Sequence, residues 1–210
     1  MSEEASMKIF TSCFAIIVAV LFASMAEAQQ TINGCLIKRR TNCPGANLSG
    51  MDLTKSNLSN ADLSGANLSG ANLSFDKIAE TNLTKANLSG ANLAGTVLTG
   101  TYLNNANLAR ANLDKADLSQ ATLPDANLRE TSLAGANFSM ANLKGADLTG
   151  ANAKGAVFIM TSLTNANLTR ADLTEATLTG ADLRNAILTG ARFCKTTMPD
   201  RSVNNSGCPK

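Results

Sequence analysis

A five-residue period runs through most of this chain and restricts what it can fold into. Residues 46–200 form 31 consecutive pentapeptides, in which the third residue is Leu in 25 cases and the first is Ala in 22. The phase never slips, and Ala153 is the one small residue at a third position. So short and regular a repeat indicates a solenoid of stacked coils rather than a globule around one closed core.

Neither type of regular secondary structure buries residues that are spaced five apart. Five residues of α-helix rotate by about 500°, so successive leucines would lie about 140° apart around the axis. In a continuous strand an odd period places successive leucines on opposite faces. A chain that turns once per pentapeptide buries them all. Twelve of the 15 glycines occupy the fifth position, which predicts a corner there because Gly tolerates positive φ.

Two stretches carry a family resemblance: ADLSGANLSGANL at residues 61–73 and ANLTRADLTEATLTGADL at residues 166–183. They resemble the pentapeptide-repeat family, whose signature is A-(D/N)-L-x-x. The resemblance implies an all-β fold, a right-handed quadrilateral parallel β-helix with the third-position Leu and first-position Ala pointing inward. With four pentapeptides per coil, the 31 repeats would form about 7.75 coils. We expect a signal peptide at 1–28, an N-terminal cap at 29–45, the β-helix at 46–200 and a C-terminal cap at 201–210.

The amino-terminal segment has the features of an export signal. Residues 10–25 are mostly apolar, a run that is shorter than the roughly 20 residues of a membrane span. Ala26-Glu27-Ala28 then fits the small-x-small rule, which predicts cleavage after Ala28 and no membrane attachment of the mature chain. An uncleaved anchor is the alternative, and translation starts at Met1 or at Met7. The signal predicts a periplasmic or extracellular protein, with a thylakoid-type lumen also open.

Four cysteines remain after cleavage, and an even number in an exported chain predicts disulfides. Cys35 and Cys43 precede the solenoid, whereas Cys194 and Cys208 lie at its far end. Because a disulfide needs Cα atoms within about 7 Å, only the pairs Cys35–Cys43 and Cys194–Cys208 fit the solenoid. Both bonds would fasten caps, which a solenoid requires at its open ends. A zinc site is a poor alternative, since the chain has no His and neither pair has the usual spacing.

Two irregular places in the repeats are candidates for a special role. Asp76 occupies a small inward position, so we expect the corner to deform until Asp76 reaches solvent or a backbone N–H, with a binding role as the alternative. Further along, Phe138 and Phe158 should stack inside the solenoid, where Ala153 makes room. Four apolar side chains of these repeats should point outward and form a candidate interaction patch: Met140, Val157, Ile159 and Met160. Tolerated surface hydrophobes are the alternative reading of that patch.

Charge and composition exclude several classes of function. The mature chain carries 17 Lys and Arg against 13 Asp and Glu, but the repeats alone carry 12 against 13. This diffuse excess does not suit a nucleic-acid-binding protein. Some family members mimic DNA and protect topoisomerases, which needs an anionic rod in the cytoplasm; the charge and the export signal both disfavour that alternative.

The sequence offers no catalytic or cofactor-binding constellation, so an enzyme is not expected. We expect no cofactor or metal. The favoured hypothesis is an exported, non-enzymatic solenoid scaffold that binds an unknown protein partner. A self-associating structural protein is a further alternative, and the sequence leaves monomer and dimer open.

Overall fold

A ladder of parallel single-residue bridges organises the computed structural model, which describes residues 30–209. Each bridge joins residues twenty positions apart, from Asn42↔Asp62 to Thr177↔Thr197. Twenty residues are four pentapeptides, so each coil has four sides with one pentapeptide on each. The described chain is therefore an all-β solenoid, as the period predicts. The expected signal peptide, the cleavage after Ala28 and the choice of start residue lie outside the described residues.

We number the four faces of the solenoid in chain order. In one coil, face 1 is residues 61–65, face 2 is 66–70, face 3 is 71–75 and face 4 is 76–80, and each face recurs every twenty residues. At most corners the N–H of a first residue donates to the carbonyl of the preceding third residue, as Ala66 does to Leu63 at 3.0 Å. From residue 50 to residue 195 the fifth residue has a positive φ whether it is Gly or a larger residue, for example 59° at Arg110.

The third-position side chains form the core. The leucines from Leu48 to Leu178 are almost wholly inaccessible, and each contributes roughly 1.5–3 kcal/mol of burial before conformational entropy is counted. The backbone N–H and carbonyl groups are also paired by hydrogen bonds between coils. The Leu68 N–H, for example, donates to the Asn87 carbonyl at 2.7 Å, and the Asn87 N–H donates to the Ala66 carbonyl at 2.9 Å.

Buried threonines replace Ala at six inward first positions and add a second kind of bond between coils. The Thr161 hydroxyl donates to the carbonyl of Phe138, 23 residues earlier, at 2.6 Å. Five other threonines make the same bond to a third-position carbonyl: Thr81, Thr96, Thr101, Thr131 and Thr196. These hydroxyls are buried without an unpaired donor, which keeps the cost of burying them low.

The amino-terminal cap is an antiparallel hairpin of β1 (Thr31–Ile32) and β2 (Cys35–Leu36), with Ile32 opposite Cys35. Cys35 forms a disulfide with Cys43 across a Cα–Cα distance of 5.7 Å. The bridge ladder begins at Asn42, so residues 41–45 already pair with the next coil, before the boundary expected at residue 46.

The carboxyl-terminal cap is a second antiparallel hairpin, of β3 (Thr196–Thr197) and β4 (Val203–Asn204). It begins inside the last pentapeptide and crosses the boundary expected at residue 200. Cys194 forms a disulfide with Cys208 across a Cα–Cα distance of 4.6 Å. Both expected disulfides are thus present. No helix within residues 30–209 is long and apolar enough to cross a membrane.

Candidate interaction surface

The four apolar side chains singled out in the sequence lie together on face 4. Met140, Ile159 and Met160 are 56%, 37% and 67% exposed, whereas Val157 is half-buried. Met140 and Met160 occupy the same corner in successive coils, and Val157 and Ile159 lie on the flat side beside them. We call these four residues the apolar patch.

The corner geometry directs the Met160 side chain along the solenoid. Side chains at fifth positions lean toward the same position of the next coil, and Met160 leans over Gly180. A Cβ atom at Gly180 would lie 3.6 Å from the Met160 Cγ, so the glycine leaves this side of the methionine uncrowded. The thioether chain is flexible and polarisable, a property that suits contact surfaces of irregular shape.

A hydrogen-bonded polar row borders the patch on the amino-terminal side. The Asn137 amide donates to the Asp117 carboxylate at 3.0 Å, and the Ser139 hydroxyl donates to the Asn137 side-chain oxygen at 2.7 Å. These groups are paired with one another and fixed in place. The patch therefore has a fixed polar border on its amino-terminal side, and apolar areas bordered by polar groups are found in many protein-binding surfaces.

Sequence reasoning missed two exposed apolar residues at the other end of this face. Phe75, at the corner that leads into face 4, is 82% exposed and lies over Gly95, where an added Cβ would meet its ring. Val97 is also exposed. Val97 and Val157 are three bridges apart, a separation of about 14 Å along the solenoid. The sequence feature that indicates this exposure is a Phe at an outward fifth position, where Gly is the commonest residue.

Asp76 points inward and is buried. Its carboxylate replaces part of the backbone hydrogen bonding between two coils. It accepts hydrogen bonds from the Ser56 hydroxyl at 2.5 Å, from the Asn57 N–H at 3.0 Å and from the Lys77 N–H at 2.7 Å. Asn57 has a φ of 46° and, within the described range, forms no bridge. Asp76 reaches a backbone N–H, as expected, but the corner does not deform, because the Asp76 N–H keeps its bond to the Leu73 carbonyl at 3.2 Å. The irregularity lies instead at Asn57 in the preceding coil. With three donors bound, this carboxylate has a structural role.

Acidic side chains on the other faces are largely neutralised by basic neighbours. Glu130 pairs with Arg110 at 2.8 Å, and this hydrogen bond lowers the pKa of Glu130. Asp182 pairs with Arg184 at 2.6 Å, and the same effect holds the pKa of Asp182 well below its ordinary value. Further ion pairs join successive coils: Arg129–Asp147, Lys154–Asp172 and Lys195–Glu175. Exposed pairs of this kind stabilise little, but they leave the surface without a strong field of one sign.

The described residues do not form a metal-binding cluster or a catalytic arrangement. Residues 30–209 contain no group of three or more His, Cys, Asp or Glu side chains that could hold a metal ion. Two depressions in this surface are open to solvent, one near Met198 and Asn204 and the other around Arg110, Arg129 and Glu130. Neither combines a nucleophile with a positioned base, which an active site needs.

A comparison with protein-family models identifies the repeats. The model described as pentapeptide repeats matches in eight copies, over residues 39–74, 81–120, 111–150, 141–180 and 161–198. These ranges cover well over half of the chain. The chain belongs to the pentapeptide-repeat family. The comparison with curated proteins gave no match.

Several solved pentapeptide-repeat structures are similar to this chain. HetL, a protein involved in heterocyst differentiation regulation from the cyanobacterium Nostoc sp. strain PCC 7120, is 29% identical over 89% of this chain and 98% of its own, with a TM-score of 0.33. A trypsin-treated form of QnrB1, a plasmid-mediated fluoroquinolone resistance protein, is 21% identical over 70% and 79%, with a TM-score of 0.34. A protein from the Arabidopsis thaliana thylakoid lumen is 26% identical over 60% and 68%, with a TM-score of 0.30.

The apolar patch departs from the family pattern at its outward positions. In A-(D/N)-L-x-x the second, fourth and fifth residues face outward, and they are mostly polar or Gly in this chain. Repeat 156–160, AVFIM, is the one among the 31 in which all three outward residues are large and apolar. Nothing in the core requires this, because the inward residues Ala156 and Phe158 are buried on the other side of the backbone.

Proposed function

We propose that this protein is an exported, non-enzymatic scaffold that binds a protein partner through the apolar patch on face 4. The observation that carries the proposal is repeat 156–160, whose Ile159 and Met160 lie exposed beside Met140 on a surface that is otherwise mostly polar. Contiguous exposed apolar residues with a polar border are typical of protein contact sites. The proposal takes the right-handed sense and the number of coils from the family resemblance.

The ordered backbone and core beneath the apolar patch support this function. Parallel bridges join the coils on every face, and the patch itself rests on the buried rings of Phe138 and Phe158. A surface that is already ordered loses little conformational entropy when a partner binds. Phe75 and Val97 offer a second apolar contact at the other end of the same face, so a partner that lies along face 4 can reach both.

The disulfides support the export part of the proposal. Disulfides persist in oxidising compartments and are rare where thiols are kept reduced. Each bond fastens a cap to the solenoid, Cys35–Cys43 at its amino-terminal end and Cys194–Cys208 at its carboxyl-terminal end. Together with the apolar segment and Ala-x-Ala site of residues 1–28, they favour a periplasmic or extracellular location, and a thylakoid-type lumen has the same chemistry.

The alternative is a DNA-mimicking protein that protects a topoisomerase. That mechanism requires an anionic surface, whereas here Glu130, Asp147 and Asp182 each pair with a nearby Arg and the repeats are nearly neutral. A gyrase-protection assay separates the two. Protection by this protein at stoichiometric concentration would support the mimic and contradict the scaffold proposal.

The direct test replaces Met140, Ile159 and Met160 with Lys together, since exposed side chains can be charged without disturbing the core. A matched control places three lysines at outward fourth positions of face 2: Ser69→Lys, Ser89→Lys and Thr189→Lys. Each protein is used to capture partners from the exported fraction of expressing cells, and the oxidation of Met140 and Met160 by peroxide is followed by mass spectrometry.

The proposal predicts that the patch variant loses a captured protein that the wild type and the face 2 control both retain. It also predicts that this partner slows the oxidation of Met140 and Met160 in the wild type. Capture that is unchanged by the three patch lysines, or equally weakened by the control, would contradict it. Circular dichroism of all three proteins checks that the fold is intact.

A further inference from the structure

The corner between faces 3 and 4 carries an exposed aromatic side chain near the amino-terminal end of the solenoid. Phe75 is 82% exposed, more than any other large apolar side chain among residues 30–209. Its backbone has a φ of 56°, and its ring extends along the corner over Gly95, which has no side chain to displace it. The ring therefore lies on a convex edge of the molecule and is open to solvent.

Two exposed lysines flank the Phe75 ring. Lys55 occupies the same corner one coil earlier, about 4.8 Å away along the solenoid, and Lys77 follows Phe75 on face 4. Val97 bridges to Lys77 and is 37% exposed. Asp76 lies between Phe75 and Lys77 in the chain, but its carboxylate is buried and bound by three donors. This corner therefore presents apolar and cationic groups together.

Three more cations lie at the adjacent end of the solenoid. Lys38, Arg39 and Arg40 follow one another in the amino-terminal cap, and all are exposed. The Arg40 N–H donates to the Ser59 carbonyl at 3.0 Å, which stacks this segment on the first coil of face 4. The cap disulfide encloses the segment and restricts its movement. We use the name basic end for six residues: Lys38, Arg39, Arg40, Lys55, Phe75 and Lys77.

The cations of the basic end have no acidic partners among residues 30–209. All six ion pairs of that range join residues between Arg110 and Lys195. Residues 30–60 carry four cations and a single acid, Asp52, which lies on face 3 and accepts a backbone N–H at 3.1 Å. Asp62 lies on face 1, and Glu80 lies at the far edge of face 4. The basic end therefore keeps a net positive charge, unlike the paired surfaces of the later coils.

We propose that the basic end binds the surface of an anionic lipid bilayer. Phosphate headgroups attract the five cations, and each Lys or Arg near such a surface adds to the binding. The Phe75 ring enters the boundary between headgroups and acyl chains, where peripheral proteins place their apolar side chains. A fluid bilayer accommodates a ring that protrudes from a convex edge and needs no matching pocket. This shape favours a bilayer over an acidic protein as the ligand.

Binding at the basic end orients the solenoid and leaves the apolar patch accessible. Phe75 lies at one edge of face 4, whereas Met140 and Met160 lie at the opposite edge, three and four coils further along. Three coils correspond to about 14 Å along the solenoid. While the protein is bound to lipid, Phe75 contacts the bilayer and the partner is limited to the apolar patch. The attachment is peripheral, and it revises the expectation from the sequence that the mature chain lacks membrane attachment.

Co-sedimentation with lipid vesicles tests this proposal. The oxidised chain from Gln29 onward is used, because the apolar residues 10–25 would themselves bind lipid. Vesicles of phosphatidylglycerol and phosphatidylcholine in equal amounts are compared with vesicles of phosphatidylcholine alone. We expect binding to the anionic vesicles at low ionic strength and release by added salt, which screens the headgroup charges. Binding to the neutral vesicles should be at least about a hundredfold weaker.

Charge reversal separates the basic end from the net charge of the chain. Lys38→Glu, Arg39→Glu and Arg40→Glu, made together, should lower the partition coefficient for anionic vesicles at least about a hundredfold. A matched control makes the same change in net charge at exposed cations that lie elsewhere and form no ion pair within residues 30–209: Lys144→Glu, Arg170→Glu and Arg201→Glu. The control should lose less than about tenfold, because its cations lie far from the headgroups.

A second pair of variants tests the aromatic contact. Phe75→Ser should lower the partition coefficient about tenfold, because the ring no longer leaves water. Met160→Ser, which removes an exposed apolar side chain from another corner, should leave the partition coefficient unchanged. Circular dichroism confirms that each variant is folded.

Three results would overturn the proposal. They are a protein that sediments with neither kind of vesicle, equal binding to both kinds, and equal losses in the two charge-reversal variants. The last result would mean that binding follows net charge and not the basic end. None of these results alters the test of partner capture at the apolar patch, so the two proposals can fail separately.

Discussion

The ring of Phe158 lies parallel to the ring of Phe138 one coil earlier, with centroids 5.1 Å apart and planes inclined by 8°. Both rings are fully buried in the face 4 column. A third-position Phe needs more room than Leu, and the preceding third position in the same coil as Phe158 is Ala153, also buried. The stack and the small residue are therefore one packing unit under the apolar patch.

This unit predicts a large loss of stability in Phe158→Ala. Removing a buried ring costs about 3–5 kcal/mol, because the cavity adds to the lost burial. Guanidinium unfolding followed by circular dichroism measures the effect. Ile159→Ala, a change at the exposed neighbour, is the control and should shift the free energy of unfolding by no more than about 0.5 kcal/mol.

The same unit predicts energetic coupling between two positions. Ala153→Leu alone should overpack the coil and destabilise it by about 1–3 kcal/mol. Combined with Phe158→Leu, it restores the usual residues at both third positions and should recover most of that loss. Simple additivity of the two changes in a double-mutant cycle would show that Ala153 does not compensate for the ring.

The Thr161 hydroxyl should stabilise the contact between two coils. Thr161→Val keeps the shape of the side chain but removes the hydrogen bond to the Phe138 carbonyl, which retains the Ala141 N–H as a donor. We expect a loss of about 1 kcal/mol in the free energy of unfolding. Thr179→Val, at an outward position, serves as the control. Equal effects of the two substitutions would contradict a special role for the inward hydroxyl.

Replacing Asp76 should regularise the coil that it interrupts. With Ala at this inward position, Asn57 and Lys77 can form the bridge found in the other coils, and a buried carboxylate is removed. We expect Asp76→Ala to be neutral or to stabilise by about 1 kcal/mol, since buried charged networks are often replaced without loss. Slower amide exchange at Leu58, whose N–H has no acceptor among residues 30–209, would show the new pairing by NMR. Destabilisation above about 2 kcal/mol would mean that the carboxylate is required.

The Arg184 guanidinium should control the titration of Asp182. Its hydrogen bonds lower the pKa of Asp182 in the folded protein, so the interaction stabilises the fold above the unfolded pKa of about 3.9. That contribution is lost as the pH falls through the folded pKa. Arg184→Ala should raise the pKa of Asp182 toward its ordinary value in an NMR titration, whereas Arg170→Ala should not. An unchanged pKa in Arg184→Ala would contradict the assignment.

Much of the solenoid could be predicted because a period of five leaves few ways to bury Leu68 and its equivalents. The inward Phe138 and Phe158 and the outward Met140 and Met160 follow from the phase alone. The bond from Thr161 to the Phe138 carbonyl was not predictable, because it depends on how coils stack across 23 residues.

The ends of the solenoid were less predictable than its middle, because their pairing does not repeat. The sequence indicated a C-terminal cap but not that it covers two faces and leaves Leu183 and Leu188 half-exposed. The exposure of Phe75 was not predictable from the pattern, because fifth positions hold many kinds of residue and Gly occupies only 12 of the 31. The role of the apolar patch stays a prediction.

Site-specific photocrosslinking in expressing cells decides whether the apolar patch contacts a protein partner. A photoreactive residue is placed at Ile159 on the apolar patch and, in a control protein, at Ser69 on face 2, and the exported fraction is analysed after irradiation. We expect a discrete adduct with another protein at Ile159 and none at Ser69. An irradiated Ile159 protein without any adduct, or with the same adducts as the Ser69 protein, would contradict it.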